Sequence, residues 1–316
     1  MTKEKENKDE KEESKLTDIP GIGPGTVAKL EAAGVYDFTD VTVSGRMQWL
    51  GFTNAPTTSY ASISAPLSKK VRERYNPSLR ISSGPIANPE IKTDKTKHAV
   101  GGQVVADQFG AFRKIQFSGT YAFHLKVSTN YMLSFGTKVG LSNNSFLQDK
   151  AIVKNPGTDV TYTDYTANMA NQNILNIGAG LYLYSNRLFL GIAGDQLTRN
   201  MVSFGSSTSN FDPAMHFNIT GGVKLNLTDS LTLTPAFLVK YMSPAPPSIE
   251  GTVQLEYKER FWGGFSYRHK DAVIIMAGLN ISRRFKFGYS YDFSISRFNA
   301  YSKGGHELVL GIMLRN

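Results

Sequence analysis

Apolar and polar residues alternate along residues 284–296. Every second position there is aromatic or aliphatic, and these positions are Phe285, Phe287, Tyr289, Tyr291, Phe293 and Ile295. The positions between them are charged, hydroxyl-bearing or glycine. Because successive side chains of a strand point to opposite faces, the pattern predicts a β-strand with one apolar and one polar face. A strand needs about 9–11 residues to cross a bilayer, and this segment is long enough.

The same period of two continues along most of the chain from residue 41 onward. It predicts fourteen strands: residues 41–50, 57–65, 98–109, 114–126, 131–141, 173–184, 187–195, 214–227, 230–241, 251–257, 260–269, 272–281, 284–296 and 306–315. An even number of such strands is typical of bacterial outer-membrane barrels.

The connections between the predicted strands are of two kinds. Three of them are two residues long: Ser185-Asn186, Thr228-Asp229 and Ser282-Arg283. Turns this short join only antiparallel neighbours. Four connections are long: residues 68–97, 142–172, 196–213 and 299–305. Short turns on the periplasmic side and long loops outside are typical of outer-membrane barrels, whereas a soluble β-sandwich would not leave so many aromatic faces uncovered.

The first 40 residues differ in character from the rest. Residues 1–16 are mostly Lys, Glu and Asp and cannot bury enough apolar surface to fold, so we expect a disordered charged tail. Residues 17–40 contain a glycine-rich turn and a short helical pattern that ends at Gly34, which predicts a segment like a helix-hairpin-helix element. Residues 41–316 form the third predicted unit, an outer-membrane β-barrel.

The N-terminal stretch, about residues 1–37, resembles the start of archaeal RadA-type recombinases. The hairpin of that element presents backbone N–H groups to DNA phosphates, so the resemblance assigns possible DNA contacts to Gly21, Gly23, Gly25 and Thr26. The alternative is a small helical hairpin without a ligand. No Walker-type glycine loop occurs in the sequence, and residues 1–40 carry 6 Lys against 10 Asp and Glu, a balance that repels DNA. We therefore expect no useful DNA affinity from this segment.

Composition narrows the class of protein. Hydrophobic residues make up 41% of the chain and the mean hydropathy is −0.26, which excludes a bundle of membrane-spanning helices. The 19 Phe, 15 Tyr and 29 Gly suit aromatic girdles and tight turns. The chain has no Cys, so disulfides and thiolate metal sites are excluded. The net charge of +9 is −4 in residues 1–40 and therefore +13 in the remainder, which we assign to loops and a polar lumen rather than to a nucleic-acid surface.

No arrangement of residues in the sequence points to catalysis or to a bound metal. The five His residues are not at metal-ligand spacing, and the chain has neither a nucleophile elbow nor a Cys nucleophile. We expect the acidic residues Asp195, Glu250, Glu256 and Asp292 to be lumen or rim charges. The glycines at 178 and 180 lie within a predicted strand, where they indicate close packing rather than a phosphate loop. The sequence therefore predicts no catalytic, cofactor-binding or metal-binding residue, no cofactor and no enzymatic activity.

From about residue 43 to residue 315 the sequence resembles the PorP/SprF family. Residues 46–52, with the letters RMQWLGF, and residues 55–58, with the letters APTT, match the family's opening motif. Residues 176–185 are similar to its mid-chain hairpin, and residues 288–292, GYSYD, are similar to part of its C-terminal region. The candidate residues that the motifs single out are Arg46, Gln48, Trp49, Gly51, Phe52, Pro56, Thr57, Gly288, Tyr289, Tyr291 and Asp292.

This resemblance implies an all-β fold, an antiparallel transmembrane β-barrel of about 14 strands, preceded by the tail and the helical hairpin. It implies a bacterial outer-membrane location and a non-enzymatic part in type IX protein secretion and gliding motility. The implied partners are outer-membrane lipids, ring or lipoprotein subunits of the secretion system, and secreted adhesin cargo. A DNA-binding helix-hairpin-helix module on a β-body and a simple diffusion porin are the alternatives. Family members usually begin with a signal peptide, whereas this sequence, as written, begins with the charged tail.

Overall fold

The computed structural model describes the chain in seven segments: residues 40–67, 75–76, 86–87, 96–167, 170–198, 214–282 and 284–314. The predicted tail, residues 1–16, lies outside these segments, and so does the predicted helix-hairpin-helix segment except for its last residue, Asp40. The candidate DNA-binding residues Gly21, Gly23, Gly25 and Thr26 lie outside them as well. What the sequence predicts for these residues stays a prediction.

The described strands form one antiparallel sheet that closes on itself as a barrel. The first and last strands make the closure and pair from Val41 with Ile312 to Met47 with His306. The sheet contains fifteen paired segments, but two of them are consecutive parts of one strand that is interrupted at Lys224. The barrel therefore has fourteen strands, and the predicted fold class is confirmed.

The strands match the fourteen that the period of two predicts, one for one. Their bounds are β1 Asp40–Met47, β2 Thr57–Pro66, β3 Thr96–Phe109, β4 Phe112–Lys126, β5 Met132–Phe146, β6 Asn171–Tyr184, β7 Leu188–Asp195, β8 His216–Val223 with Leu225–Thr228, β9 Leu231–Met242, β10 Ser248–Tyr257, β11 Phe261–Arg268, β12 Ala272–Asn280, β13 Phe285–Ser294 and β14 Gly305–Ile312. The predicted ends are less accurate than the predicted strands. Strand β1 ends three residues before the predicted position 50, because the backbone turns into the left-handed region at Trp49.

The two faces of the sheet are assigned as the alternation predicts. In β13, the side chains of Lys286, Ser290 and Asp292 are buried on the inner face, whereas Phe285 and Phe293 are exposed on the outer face. A barrel in a membrane places its apolar face outward, where lipid replaces water. The residues that are exposed here are therefore the lipid-facing residues.

Because the barrel has fourteen antiparallel strands, β1 starts and β14 finishes at the same end. We call this end the turn end, and four of its connections are residues 185–187, 229–230, 258–260 and 281–284. We call the opposite end the loop end, and it carries residues 48–56, 147–170, 196–215 and 295–304.

One long connection lies at the turn end, where the sequence analysis predicts short turns. The segment between β2 and β3, residues 67–95, joins strands at the turn end rather than at the loop end. The reason is topological: β1 runs from the turn end to the loop end, so the second connection of the barrel must return to the turn end. Within this segment Tyr75–Asn76 pairs with Ile86–Ala87 as a two-residue antiparallel ladder.

The long connection between β5 and β6 contains a helix that the sequence analysis did not predict. Helix α1 spans Val160–Ala167 and follows a short 3₁₀ turn at Gln148–Lys150. The backbone N–H of Tyr162 donates to Asp159 Oδ1 at 2.9 Å, and an aspartate before the first turn is a favoured cap for a helix N-terminus. None of the helices in the described segments has the length and apolar character needed to cross a membrane.

The lumen wall is closely packed along several strands. The side chains of Ser266 and Ile274 have no accessible surface, and Asn176 and Met132 retain 1% each. An apolar patch on the inner wall is formed by Ala272, Ile274 and Met276, with Trp262 packed against it. These inner-wall side chains are therefore covered by neighbouring side chains of the wall.

A glycine on the inner wall shows how close this packing is. A Cβ at Gly178 would lie 3.1 Å from the carbonyl oxygen of Gly194 and 3.2 Å from both Asp195 Oδ1 and Lys138 Cε. A Cβ at this position would push its neighbours by a few tenths of an ångström, so glycine fits the close packing that the sequence predicts for this strand.

Candidate functional site

The opening motif forms a tight loop, residues 48–56, which we call the motif loop. Its base is closed by a hydrogen bond from the Gln48 N–H to the Pro56 carbonyl oxygen at 2.9 Å. Three of its residues have positive φ: Trp49 at 51°, Gly51 at 109° and Asn54 at 57°. Tryptophan is uncommon in this region of backbone space, so the surrounding contacts must hold the loop in its shape.

One side of the motif loop is bound to the loop between β13 and β14. The Leu50 N–H donates to the carbonyl oxygen of Gly304 at 3.0 Å, and the Lys303 N–H donates to the carbonyl oxygen of Leu50 at 2.6 Å. At Gly51, an added Cβ would lie 3.1 Å from the Tyr301 carbonyl oxygen. The motif therefore needs a glycine at this position for both its φ and its close approach to the neighbouring loop.

The other side of the motif loop contacts the β3–β4 turn and the β5–β6 connection. The Gly110 N–H donates to the Asn54 carbonyl oxygen at 3.2 Å, and Asn54 Nδ2 donates to the Lys150 carbonyl oxygen at 3.0 Å. The Trp49 ring lies edge-on to Phe109, with 6.0 Å between the centroids. The motif loop thus links three other connections at the loop end.

An aromatic cluster lies beside these contacts and anchors α1 to the barrel. The ring of Phe146 is 5.4 Å from Tyr165 and 6.3 Å from Tyr162, and Phe112 is 5.6 Å from Phe146. Ring pairs at these separations are stabilising beyond their buried area. The β5–β6 connection is therefore packed onto the barrel rim through α1.

A belt of ion pairs lies on the lumen wall directly below the motif loop. Arg46 Nη2 is 2.6 Å from Asp292 Oδ2, and Arg46 Nη1 is 3.9 Å from Glu307 Oε2. Arg268 Nη2 is 3.7 Å from the same Asp292 oxygen. Asp292 therefore connects the two arginines across the seam at which β1 and β14 close the barrel.

Arg268 extends the belt to two further carboxylates. Its guanidinium lies 3.1 Å from Glu250 Oε2 and 3.0 Å from Asp271 Oδ2. With the residues above, the belt joins β10, β11, β13, β14 and β1. Two arginines and four carboxylates give it a formal charge of −2, and Asp292, Glu307 and Glu250 are buried.

The two motif regions that the sequence analysis singled out meet in this belt, since Arg46 belongs to the opening motif and Asp292 to the C-terminal one. Tyr289 and Tyr291 project to the outer face instead. The Tyr289 hydroxyl is 2.6 Å from His306 Nδ1, and the Tyr291 hydroxyl donates to the Lys303 carbonyl oxygen at 3.1 Å. Tyr291 therefore supports from outside the same loop that the motif loop contacts through Leu50.

The remaining candidate residues have separate positions. Phe52 is exposed at the tip of the motif loop, and its N–H donates to the Trp49 carbonyl oxygen at 3.3 Å. Thr57 begins β2, and Gly288 lies in the middle of β13, opposite Gly278. These positions have structural roles that differ from one another, so the candidate residues do not form one catalytic or ligand-binding constellation.

Several residues of the site were not identified from the sequence. Asp271, Lys303 and Gly304 carry contacts of the belt and of the motif loop, yet alternation gives only the face of a side chain and not its depth along the barrel. Glu250 was expected as a lumen or rim charge, and the structure places it at 3.1 Å from Arg268.

A second polar cluster lies on the opposite part of the lumen wall. Lys138 Nζ is 2.6 Å from Asp195 Oδ2, and the Gln196 N–H donates to Asn176 Oδ1 at 3.0 Å. Asp195 is thus a paired lumen charge, as predicted. Within the described residues, no group of three or more His, Asp or Glu side chains is arranged to hold a metal ion.

Comparison with known proteins gives both the family and the fold. The family model described as "Type IX secretion system membrane protein PorP/SprF" matches residues 32–312. None of the curated proteins compared with the chain matches it.

Solved structures that resemble the chain are membrane barrels. The CymD monoaromatic hydrocarbon channel has 9% sequence identity and a TM-score of 0.51, with 87% of this chain and 86% of CymD covered. The P. putida toluene transporter TodX has 8% identity and a TM-score of 0.45, covering 89% and 90%. The Acinetobacter baumannii outer membrane protein Omp33 has 9% identity and a TM-score of 0.45, covering 89% and 99%. At these identities the likeness to CymD concerns the fold alone.

The barrel fold and the family match together locate the protein in the bacterial outer membrane. The match extends over most of the chain and includes every strand of the barrel. This chain belongs to the PorP/SprF family of type IX secretion system membrane proteins.

Proposed function

We propose that the protein is a non-enzymatic component of the type IX secretion system that docks subunits of the secretion machinery and aids the export of adhesin-type cargo. The observation that carries the proposal is the family match over residues 32–312. The braced loop end supports it, because the family's opening motif is used there to fix four connections relative to one another. Rigid loops on a barrel rim make a suitable platform for a protein partner.

The orientation that outer-membrane barrels share suggests a role for each end. Outer-membrane barrels have short turns in the periplasm and longer loops outside the cell, so we propose that the turn end meets periplasmic ring subunits. The loop end would then face the exported adhesin. A diffusion porin is the alternative, and it differs from a docking barrel because it needs an open lumen that conducts ions.

Deletion and complementation in the source bacterium test the proposal. Removing the gene should abolish surface display of adhesin-type cargo, and the native gene should restore it. Phe52→Ala removes the exposed ring at the tip of the motif loop, and Ile152→Ala removes an exposed apolar side chain from another connection at the same end. We expect Phe52→Ala to lower surface adhesin while the amount of barrel in the outer membrane is unchanged, and Ile152→Ala to leave both unchanged. Normal adhesin display in the deletion strain would refute the proposal.

A further inference from the structure

The turns at the turn end carry a row of exposed cations. Arg187, Lys258, Arg260 and Arg284 are all exposed there, in the turns that connect β6 to β7, β10 to β11 and β12 to β13. We call these four residues the turn rim. Two exposed carboxylates lie at the same end, Glu259 in the β10–β11 turn and Asp229 in the β8–β9 turn, so the charge of the exposed turns is positive on balance.

Backbone hydrogen bonds to neighbouring strands hold these turns in place. The Arg187 carbonyl oxygen accepts from the Lys224 N–H at 2.6 Å, and the Arg260 carbonyl oxygen accepts from the Asn280 N–H at 2.7 Å. The Arg284 carbonyl oxygen accepts from the Met313 N–H at 2.7 Å. The cations therefore project from fixed points of the barrel and not from free loops.

Three of the four cations stand next to a lipid-facing aromatic ring in the sequence. Lys258 follows Tyr257, Arg260 precedes Phe261, and Arg284 precedes Phe285, and all three rings are exposed on the outer face. Lys258 Nζ lies 5.2 Å from the centroid of the Tyr257 ring. Aromatic girdles of membrane barrels sit at the headgroup level, and long cationic side chains reach from apolar surroundings to polar groups. The rim is thus at the same level along the barrel axis as these exposed rings.

The turn that carries Lys258 has two residues in the left-handed backbone conformation, which residues other than glycine and asparagine rarely adopt. Lys258 and Glu259 have φ of 50° and 54°, and the Arg260 N–H donates to the Tyr257 carbonyl oxygen at 3.0 Å. A two-residue turn with both central residues left-handed favours Asn-Gly or Asp-Gly. Asparagine suits the first position of such a turn better than lysine does, so the charge of Lys258 can be removed by Lys258→Asn without disfavouring the turn.

We propose that the turn rim binds the phosphate groups of anionic phospholipids in the periplasmic leaflet of the outer membrane. The rim's charge is opposite to theirs, it lies level with the exposed aromatic rings, and the short turns belong to the periplasmic side. This proposal depends on the outer-membrane location and not on the role in secretion.

The test measures which lipid stays bound to the purified full-length protein. The protein is equilibrated in mixed micelles with equal amounts of phosphatidylglycerol and phosphatidylcholine, and bound lipids are counted by native mass spectrometry. The rim variant carries Lys258→Gln, Arg260→Gln and Arg284→Gln. The control variant removes the same charge from exposed positions at the loop end, through Lys154→Gln, Lys270→Gln and Arg297→Gln.

We expect the native protein and the control variant to be enriched in phosphatidylglycerol. In the rim variant the enrichment should fall at least about fivefold, the factor that one cation near a membrane surface supplies, and 1 M salt should remove it from the native protein. Equal enrichment in the native protein and the rim variant would overturn the proposal and leave the rim as a surface for an acidic protein.

A single substitution covers the case in which the rim variant does not fold. Lys258→Asn removes one charge and places a residue that suits the left-handed turn, so this variant should fold at least as well as the native protein. We expect it to bind less phosphatidylglycerol than the native protein does. Undiminished enrichment in a well-folded Lys258→Asn protein would count against the proposal in the same way.

Discussion

At the scale of single residues, Asp292 links the first strand of the barrel to its C-terminal strands. Its Oδ2 atom is shared by Arg46 of β1 and Arg268 of β11, at 2.6 Å and 3.7 Å. Breaking a buried ion pair from one side leaves an uncompensated charge, which costs more than the pair contributes. The sequence predicts that Asp292 faces the lumen, because alternation fixes its face. The sequence does not predict the pairing of Asp292 with Arg268. That pairing depends on how far neighbouring strands are shifted along the barrel axis, and the alternation of apolar and polar residues carries no information about this shift.

Removing the charge of Arg46 should weaken the barrel through this site. We expect Arg46→Gln to lower the free energy of unfolding by about 3 kcal/mol, the low end for a broken buried pair, since Arg268 still faces Asp292. The measurement is urea unfolding in detergent or lipid, followed by tryptophan fluorescence. The double variant Arg46→Gln with Asp292→Asn should recover at least about 1 kcal/mol of the loss. Losses that simply add would show that the two residues are not coupled.

The lipid-facing surface can be tested with a matched pair of exposed residues. Ile275 in the middle of β12 is 61% exposed and Val160 of α1 is 81% exposed, so both would tolerate arginine if both faced water. We expect Ile275→Arg to cost about 2–4 kcal/mol, because it lies near the middle of the apolar band. Val160→Arg should stay within about 0.5 kcal/mol of the native protein. The free energy of unfolding in a bilayer checks this, and equal tolerance of both would mean that the outer face is assigned wrongly.

At the scale of elements, strands were predictable and loops were not. Strand β13 carries an aromatic residue at every second position and β4 carries mostly apolar residues there, and both patterns are visible in the sequence alone. Helix α1 was missed because its eight residues, VTYTDYTA, show no apolar stripe. Its only local signal is Asp159 at the N-terminal cap. The shape of the motif loop was also hidden, since the left-handed conformation of Trp49 depends on contacts with three other connections.

Two glycines at the loop end have different surroundings, and comparing them tests whether the motif loop is held more tightly than an ordinary loop. Gly51 combines a φ of 109° with a carbonyl oxygen 3.1 Å from its missing Cβ, whereas a Cβ at Gly157 would meet nothing within 4 Å. We expect Gly51→Ala to cost about 1–3 kcal/mol locally and to speed proteolysis within residues 48–56 and 295–304. Gly157→Ala should leave the digestion pattern unchanged. If both variants resist protease equally, the motif loop is not the brace that its contacts suggest.

At the scale of the whole molecule, the number and order of the strands were predictable, but the state of the lumen was not. Alternation predicts a polar inner face, and inward residues such as Ser134 and Thr252 agree with it. It does not predict the apolar patch of Ile274 and Met276, nor that the wall is inaccessible next to Ser266. These depend on what lies against the wall in three dimensions.

The proposed docking role predicts weak ion conduction. In planar bilayers the purified full-length protein should show no steady channel openings, because water and ions need continuous accessible space along the barrel axis. A diffusion porin in the same bilayer shows that openings are detectable. Frequent, stable openings of the native protein would favour the porin alternative over the docking role.

An even strand number also decides on which side of the membrane the flanking segments emerge. Strand β1 begins at Asp40 and β14 finishes at Ile312, and both positions lie at the same end of the barrel. An epitope tag at either terminus would report on the same compartment, whereas a tag inserted near Gly157 would report on the opposite one. Antibody added to intact cells should therefore label the tag near Gly157 and neither terminal tag, and this contrast would read out the orientation of the whole barrel in a living cell.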